Sequence, residues 1–314
     1  MVVAITGGTG FIGRRLAAAL ALAGHDVRVL TRKAAPAVQA PEGVVLFSGD
    51  LTGEGNLAAF VSDVDVLFHC AGEISQPSRM HDLHVGGTSR LIEAASGNVR
   101  HWVQLSSTGA YGPRREGVVL EGDPLRPIGP YETTKVASDE LVTRAGQSGA
   151  FTFSILRPSV VFGSDMPNQS LFGMLRMIER GMFFFIGRPG ASANYIHVDN
   201  VVQALIACGF ERPAEGRTFN LSDYCTIERF AELSAQCLGV QPPTRRLPEW
   251  PVRLGAQLLQ KLPGWPLKPS RVDALTSFVR YPSTCIESEL HYRHTVSMAE
   301  GIADLVRGYR GRKA

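Results

Sequence analysis

Short apolar runs rich in β-branched residues alternate with amphipathic stretches through the first half of the chain. Val2–Thr6, Val27–Thr31, Val44–Phe47, Val64–Phe68, Trp102–Leu105 and Phe151–Leu156 read as six strands. Phe11–Ala23 (closed by Gly24), Ser89–Ala95 and Tyr131–Ala145 read as helices between them. Strands apolar at nearly every position are covered on both faces. The alternation therefore predicts a parallel sheet with helices on both sides, a doubly wound α/β domain with right-handed crossovers. Beyond Pro158 the pattern changes. Leu171–Arg180 reads as a helix, Met182–Ile186 as a dense apolar patch, and Tyr195–Val198 as a strand followed by a helix through Cys208. From about Asp223 onward, short helices and prolines at 242, 243, 248, 251, 263 and 266 predict a small, mostly helical lobe.

The first strand runs into Thr6-Gly7-Gly8-Thr9-Gly10-Phe11-Ile12-Gly13. Gly7, Gly10 and Gly13 fit G-x-x-G-x-x-G, directly after a strand and opening a helix. Such a turn brings backbone N–H groups, those of Phe11 and Ile12 among them, toward a pyrophosphate at a helix N-terminus. The last glycine permits close packing of helix on strand. There is no G-x-x-x-x-G-K, so a P-loop triphosphatase is not indicated. At the end of the second strand an acidic residue would select NAD by bonding the ribose 2′-OH. Thr31 stands there instead, followed by Arg32 and Lys33. Arg32 is suited to clamp a 2′-phosphate, so NADP is expected rather than NAD; the alternative is that both cations are solvated loop charges. After the third strand, Asp50 and Leu51 are placed to meet the adenine, unless Asp50 only caps the next turn.

Tyr131 and Lys135 stand four residues apart, on one face of a helix. A free tyrosine titrates near ~10. A neighbouring ammonium favours its phenolate, so the pair can move a proton to or from a carbonyl oxygen. Upstream, Gln104-Leu105-Ser106-Ser107 ends the fifth strand, at the carboxyl edge where ligands of such sheets bind.

Together the glycine turn, the Tyr131/Lys135 pair and the upstream serines resemble the extended short-chain dehydrogenase/reductases, the NAD(P)-dependent epimerase/dehydratase superfamily. The resemblance runs from Val2 to about Val202. Phe68-His69-Cys70-Ala71-Gly72 is similar to that family's H-x-A-A/G element. Leu156-Arg157-Pro158-Ser159-Val160-Val161-Phe162-Gly163 is similar to L-R-P-x-x-V-Y-G, and Tyr195–Asn200 to Y-I-H-V-D-D. The resemblance implies a Rossmann-like sheet with a smaller C-terminal substrate lobe. It makes 1–162, with a return segment near 194–222, the dinucleotide domain, and 163–193 with 223–314 the substrate lobe. It makes Tyr131 the general acid/base and Lys135 the group that holds the nicotinamide ribose and lowers the tyrosine pKa. Ser107, four residues before Tyr111, matches the catalytic hydroxyl better than Ser106. Pro158 and Ser159 would lie near the carboxamide, and Cys70, Ala71 and Gly72 along the cofactor. A homodimer through Ser89–Ala95 and Tyr131–Ala145 is expected.

Four departures from the family shape the expected substrate. His84, in His84-Val85-Gly86-Gly87-Thr88, replaces an asparagine; it is either a satisfied structural histidine or a proton relay. His81 lies one turn away, but no further ligand cluster accompanies the two, so no metal is expected. Thr108-Gly109-Ala110 lacks the acidic residue that serves sugar dehydration. Val160 stands where nucleotide-sugar members have asparagine, and Ala193 where they have an arginine, for which Arg188 is the candidate substitute. His197 is a candidate substrate contact, or a packed strand residue. Phe183-Phe184-Phe185-Ile186 is core, or lines an apolar pocket. Trp250–Trp265 is a buried short helix, or touches a membrane surface.

The leading expectation is reversible hydride transfer between NADP(H) and a carbonyl/secondary alcohol, with a 4-keto nucleotide sugar as substrate. The alternatives are an epimerase that retains NAD, a reductase of a steroid-like apolar ketone, and a cofactor-binding subunit without turnover.

Composition narrows the setting. The 314 residues allow one large domain or two smaller ones, and 44% hydrophobic with 19% charged residues is globular, excluding disorder and collagen. A net charge of +3 is too mild to indicate nucleic acid. No apolar run approaches the ~18 residues of a membrane helix. The five cysteines form no C-x-x-C pair, and no basic leader precedes Val2. A soluble, cytoplasmic protein with free thiols and a small-molecule substrate is expected.

Overall fold

A computed structural model of the chain describes residues 1–32, 42–53, 55–167, 169–260 and 267–312. Lys33 and the 261–265 part of the Trp250–Trp265 segment lie outside the described residues. The strands are β1 (Val2–Thr6), β2 (Asp26–Thr31), β3 (Val44–Ser48), β4 (Val64–His69), β5 (Val99–Leu105), β6 (Glu116–Val118) and β7 (Thr152–Pro158). They continue with β8 (Val160–Phe162), β9 (Phe185–Ile186), β10 (Ser192–His197), β11 (Arg217–Leu221), β12 (Asp223–Thr226), β13 (Arg246–Leu247) and β14 (Phe278–Arg280). Seven of them form one parallel sheet in the order β11-β7-β5-β4-β1-β2-β3. This is the Rossmann-like doubly wound sheet expected from the alternation of apolar runs.

Two strands of the sheet show where the structure departs from the sequence reading. β5 begins at Val99, not Trp102, because His101 continues it despite its polarity. Its ring bonds Thr152 Oγ1 at 2.8 Å and Ser154 Oγ at 3.2 Å on the neighbouring strand. β11 was not foreseen as a strand: Arg217 and Thr218 hide the short buried run Phe219-Asn220-Leu221.

The helices are α1 (Gly13–Leu22), α2 (Leu57–Val61), α3 (Pro77–His81), α4 (Thr88–Ala95), α5 (Pro130–Gln147) and α6 (Ser170–Glu179). Then come α7 (Val198–Phe210), α8 (Ile227–Leu238), α9 (Glu249–Leu259), α10 (Pro269–Leu275), α11 (Thr284–Glu289) and α12 (Met298–Gly311). Strand periodicity divides the core. Val3 and Ile5 join Leu16, Leu20, Val201 and Leu205 of α1 and α7, whereas Ala4 and Leu67 join Leu91 and Val142 of α4 and α5. A separate cluster holds α6, α8 and α12 around Phe162, Phe172, Phe230 and Leu305. Phe183 and Phe185 are buried in it, and Ile186 is buried against Ala256 and Val272, so the phenylalanine run is core.

The sheet order reverses between β1 and β4. At such a switch point the following helices diverge to opposite faces and leave a crevice outside the carboxyl ends of the strands.

Candidate active site

The crevice is a groove of ≈ 1030 Å³. All the residues singled out in the sequence as catalytic or cofactor-binding border it: those of the Gly7–Gly13 turn, Arg32, Asp50, Leu51, Cys70–Gly72, Ser107, Tyr131, Lys135, Pro158 and Ser159.

The glycines are required by backbone approach. Gly7 has φ +67°, and a Cβ there would meet Ala71 N and the Cys70 carbonyl carbon, each at 2.7 Å. A Cβ on Gly13 would lie 2.3 Å from Gly7 O, so α1 starts pressed against the turn. The α1 N-terminus has no side-chain cap and no acidic residue in its first turn. Its dipole suits an anion. Two cations, Arg14 and Arg79, also border the groove. Arg14 is paired with Asp165, which Arg15 also contacts at 2.7 Å. Neither was foreseen, because nothing in the local sequence marks a surface arginine as facing a groove.

Asp50 Oδ1 accepts from the Thr52 N–H and hydroxyl, both at 2.9 Å. Burial pushes this carboxyl up, but the two Thr52 bonds, with Arg32 and Arg79 nearby, hold it below the ordinary range. The turn-capping role of Asp50 is thus present, on the groove wall.

At the other end, Gly129 and Pro130 start α5, so that Tyr131 sits in its first turn and Lys135 one turn on. Lys135 is buried, and its ammonium donates to the Leu105 carbonyl at the end of β5. Burial lowers its pKa, opposed by Asp139 and Cys70. Tyr131 departs from expectation: burial pushes it up to about 12, and the Glu132 and Asp139 carboxylates add to the push. Lys135 is not among the groups that shift it.

The two serines divide their work. Ser106 is buried and donates to Asp139 Oδ2 at 2.6 Å. Ser107 Oγ accepts from the Gly109 N–H at 3.1 Å, which leaves its own proton to donate on the groove side. Behind them Asp139 meets Arg157 at 3.3 Å, and Arg157 reaches the Tyr111 hydroxyl at 3.2 Å. Ser159 Oγ is buried beside the groove without a partner.

The three tentative substrate residues lie off the groove, each for a definable reason. His84 sits in a π-helical turn (Asp82–Gly87), edge-on to Tyr131 with ring centroids 5.7 Å apart. Its Nε2 accepts from the Glu73 N–H at 2.8 Å, so its proton is on Nδ1, 2.8 Å from Thr134 Oγ1. Both ring nitrogens are thus hydrogen-bonded, and burial and Lys135 lower its pKa to about 4. Arg188 pairs with Glu116 at 2.8 Å and covers the Phe278 ring at 3.9 Å, in a second groove. His197 is buried: Nδ1 caps α7 through the Asp199 N–H at 3.3 Å, and Nε2 lies 3.3 Å from Asp304.

The model of the NAD dependent epimerase/dehydratase family matches residues 3–222. The chain is 29% identical over 277 residues to the 4-hydroxy-2-methyl-3-oxo-4-farnesyl-3,4-dihydroquinoline-1-oxide ketoreductase of Stigmatella aurantiaca, covering 82% of this chain and 79% of that one. It is 36% identical over 180 residues to the dTDP-6-deoxy-L-talose 4-dehydrogenase (NAD(P)(+)) of Kitasatospora kifunensis, covering 55% and 56%. The UDP-glucuronic acid 4-epimerase of Bacillus cereus, solved in complex with NAD, superposes over 100% of both chains with a TM-score of 0.79 at 17% identity, a likeness of fold. The chain is therefore an enzyme of the NAD-dependent epimerase/dehydratase family, an extended short-chain dehydrogenase/reductase.

Proposed function

We propose that this enzyme is an NADP(H)-dependent ketone reductase, reversible as a secondary-alcohol dehydrogenase, whose substrate turns an apolar body toward the groove. The observation that carries the reading is the gathering of Ser107, Tyr131 and Lys135 on the groove that also holds the Gly7–Gly13 turn. The residues present fit a dinucleotide. The uncapped start of α1 suits the pyrophosphate, Arg32 the 2′-phosphate, Lys135 the nicotinamide ribose, and the unpartnered Ser159 hydroxyl the carboxamide. Bound there, the nicotinamide supplies or accepts the hydride.

The chain's own share is the proton. A phenol pushed up to about 12 is fully protonated at neutral pH, so Tyr131 is set to donate to a carbonyl oxygen. Ser107 donates a second hydrogen bond to the same oxygen. Lys135, tied to Leu105, holds its end of the site in place.

Two observations favour an apolar substrate. Ile74 and Val160 border the groove while 56% and 46% exposed. Ala193, at the position of the family's arginine, is buried, and Arg188 is engaged elsewhere. The Stigmatella relative is named for a farnesyl-bearing substrate. A 4-keto nucleotide sugar is the second reading, favoured by the name of the Kitasatospora relative. We extend the proposal to a homodimer through α4 and α5, which pack side by side.

The test is to denature the purified protein, identify any released nicotinamide, and titrate the emptied protein with NADPH and NADH. An empty protein that binds NADPH roughly tenfold or more tighter is expected, a preference of about 1.4 kcal/mol. Tightly held NAD would end the 2′-phosphate role of Arg32 and put the epimerase first.

A further inference from the structure

Helix α9 is apolar on two opposite sides. Its inner side packs Ala256, fully buried, with Val252 against Val272 and Ile186. On its outer side Trp250, Leu254 and Leu258 recur every four residues, which sets them on one stripe. They are 73%, 49% and 72% exposed, and Leu247 just before the helix is 42% exposed. Scattered single apolar residues on a surface are ordinary; four within twelve residues are a patch.

The chain around the stripe carries more cations than carboxylates. Glu249 is held by Arg115 and Arg253, and Asp273 by Arg253, so the nearby carboxylates are neutralised. Arg245 and Arg246 precede the helix, and Lys268 and Arg271 open the neighbouring α10; all four are exposed. Arg246 is committed to Glu228, leaving Arg245, Lys268 and Arg271 as the cations on either side in the chain. An exposed indole and leucines, with exposed cations before and after them in the chain, complement an anionic lipid surface. The apolar side chains enter the headgroup boundary, and the cations meet the phosphates.

We infer that the outer face of α9 is a membrane-docking surface that seats the protein peripherally on anionic bilayers. No helix among the described residues is long and apolar enough to cross a membrane, so the contact is interfacial. The docking does not depend on the proposed reaction.

The test is flotation of the full chain with vesicles of phosphatidylcholine alone and of phosphatidylcholine with phosphatidylserine. The protein is expected to float with the anionic vesicles and to be released by high salt. Trp250→Glu with Leu258→Glu should weaken that binding by more than roughly tenfold, with the thermal midpoint and dinucleotide binding unchanged. Should the double variant unfold, Arg245→Glu gives the same reading through charge, weakening anionic binding several-fold. Three results would each overturn the inference: no flotation with anionic vesicles; equal flotation of folded Trp250→Glu/Leu258→Glu or of Arg245→Glu; or a self-association that these changes abolish in a protein that ignores vesicles.

Discussion

Helices α5 and α9 invert the usual rule in opposite directions. α5 buries Thr134, Lys135, Ser138 and Asp139, four polar residues in a row along one side. α9 buries only Ala256 and exposes a tryptophan and two leucines. Each of these residues has a partner drawn from another element, though Asp139 Oδ1 is left without one: His84 for Thr134, Leu105 for Lys135, Gln104 and Thr88 for Ser138, and Ser106 with Arg157 for Asp139 Oδ2. The exposed residues of α9 have no such company. A polar residue enters a core at a cost that only specific partners offset, so the α5 pattern marks chemistry performed inside the fold. An apolar stripe left in water marks chemistry completed outside it. Both helices break local consistency, and both breaks fall where function is proposed.

The largest expected effect tests the α5 side of the contrast. Tyr131→Phe removes one hydroxyl and should lower kcat by about 10²–10⁴ while leaving dinucleotide affinity unchanged. In the parent enzyme the reductive rate should stay flat from neutral pH upward, because Tyr131 is protonated far below about 12. The oxidative rate should rise with pH over the same range, since it needs the phenolate. A reductive rate that falls through pH 8 would sink the assignment of Tyr131 as the acid. Next in size, Asp139→Ala strands the Arg157 guanidinium and removes the carboxylate whose charge supports the Lys135 ammonium. A loss of about 3–5 kcal/mol in denaturant unfolding is expected, because the remaining charge stays buried. A loss under 1 kcal/mol would mean that water already serves that network.

The sequence made the cofactor half legible for a physical reason. Gly7 and Gly13 are dictated by backbone contacts that admit no side chain, and Tyr131 and Lys135 by one helical turn, so the motif carries the geometry with it. The second lobe lacks such constraints. Arg188 and His197 were singled out by position in a strand pattern. Two of their partners, Glu116 and Asp304, lie 72 and 107 residues away and could not be read locally. The tyrosine pKa departs for a related reason: spacing shows that Lys135 is near, not that burial and the Glu132 and Asp139 carboxylates push the phenol up. α9 reads as buried from composition alone, because apolar periodicity does not say which of two apolar faces is covered.

A smaller effect comes from the histidines packed behind α5. Burial lowers His84 to about 4 and His69 to about 3, both below the ~6.5 of an unfolded chain. Above pH 6.5 neither state binds the proton and nothing is lost. As pH falls below ~6.5 the unfolded chain takes up protons that the folded one refuses, so stability declines toward pH 4 by about 1.4 kcal/mol per pH unit for each histidine. Urea midpoints between pH 7 and 5 should show this slope. His84→Asn should reduce it by about one proton; an unchanged slope would mean that His84 is charged in the folded state.

The smallest expected effect separates the two faces of α9 itself. Ala256 is fully buried against Val272 and Ile186, so Ala256→Leu overfills that contact and should cost about 1–3 kcal/mol. Leu258, two residues on and 72% exposed, has no packing to lose. Leu258→Gln should therefore shift unfolding in denaturant by no more than about 0.5 kcal/mol, and by no more in the presence of a dinucleotide. A cost near 2 kcal/mol would show that the outer stripe is covered in the folded protein. α9 would then be a buried helix like any other, its apolar residues would need no lipid, and the contrast with α5 would reduce to a difference in packing.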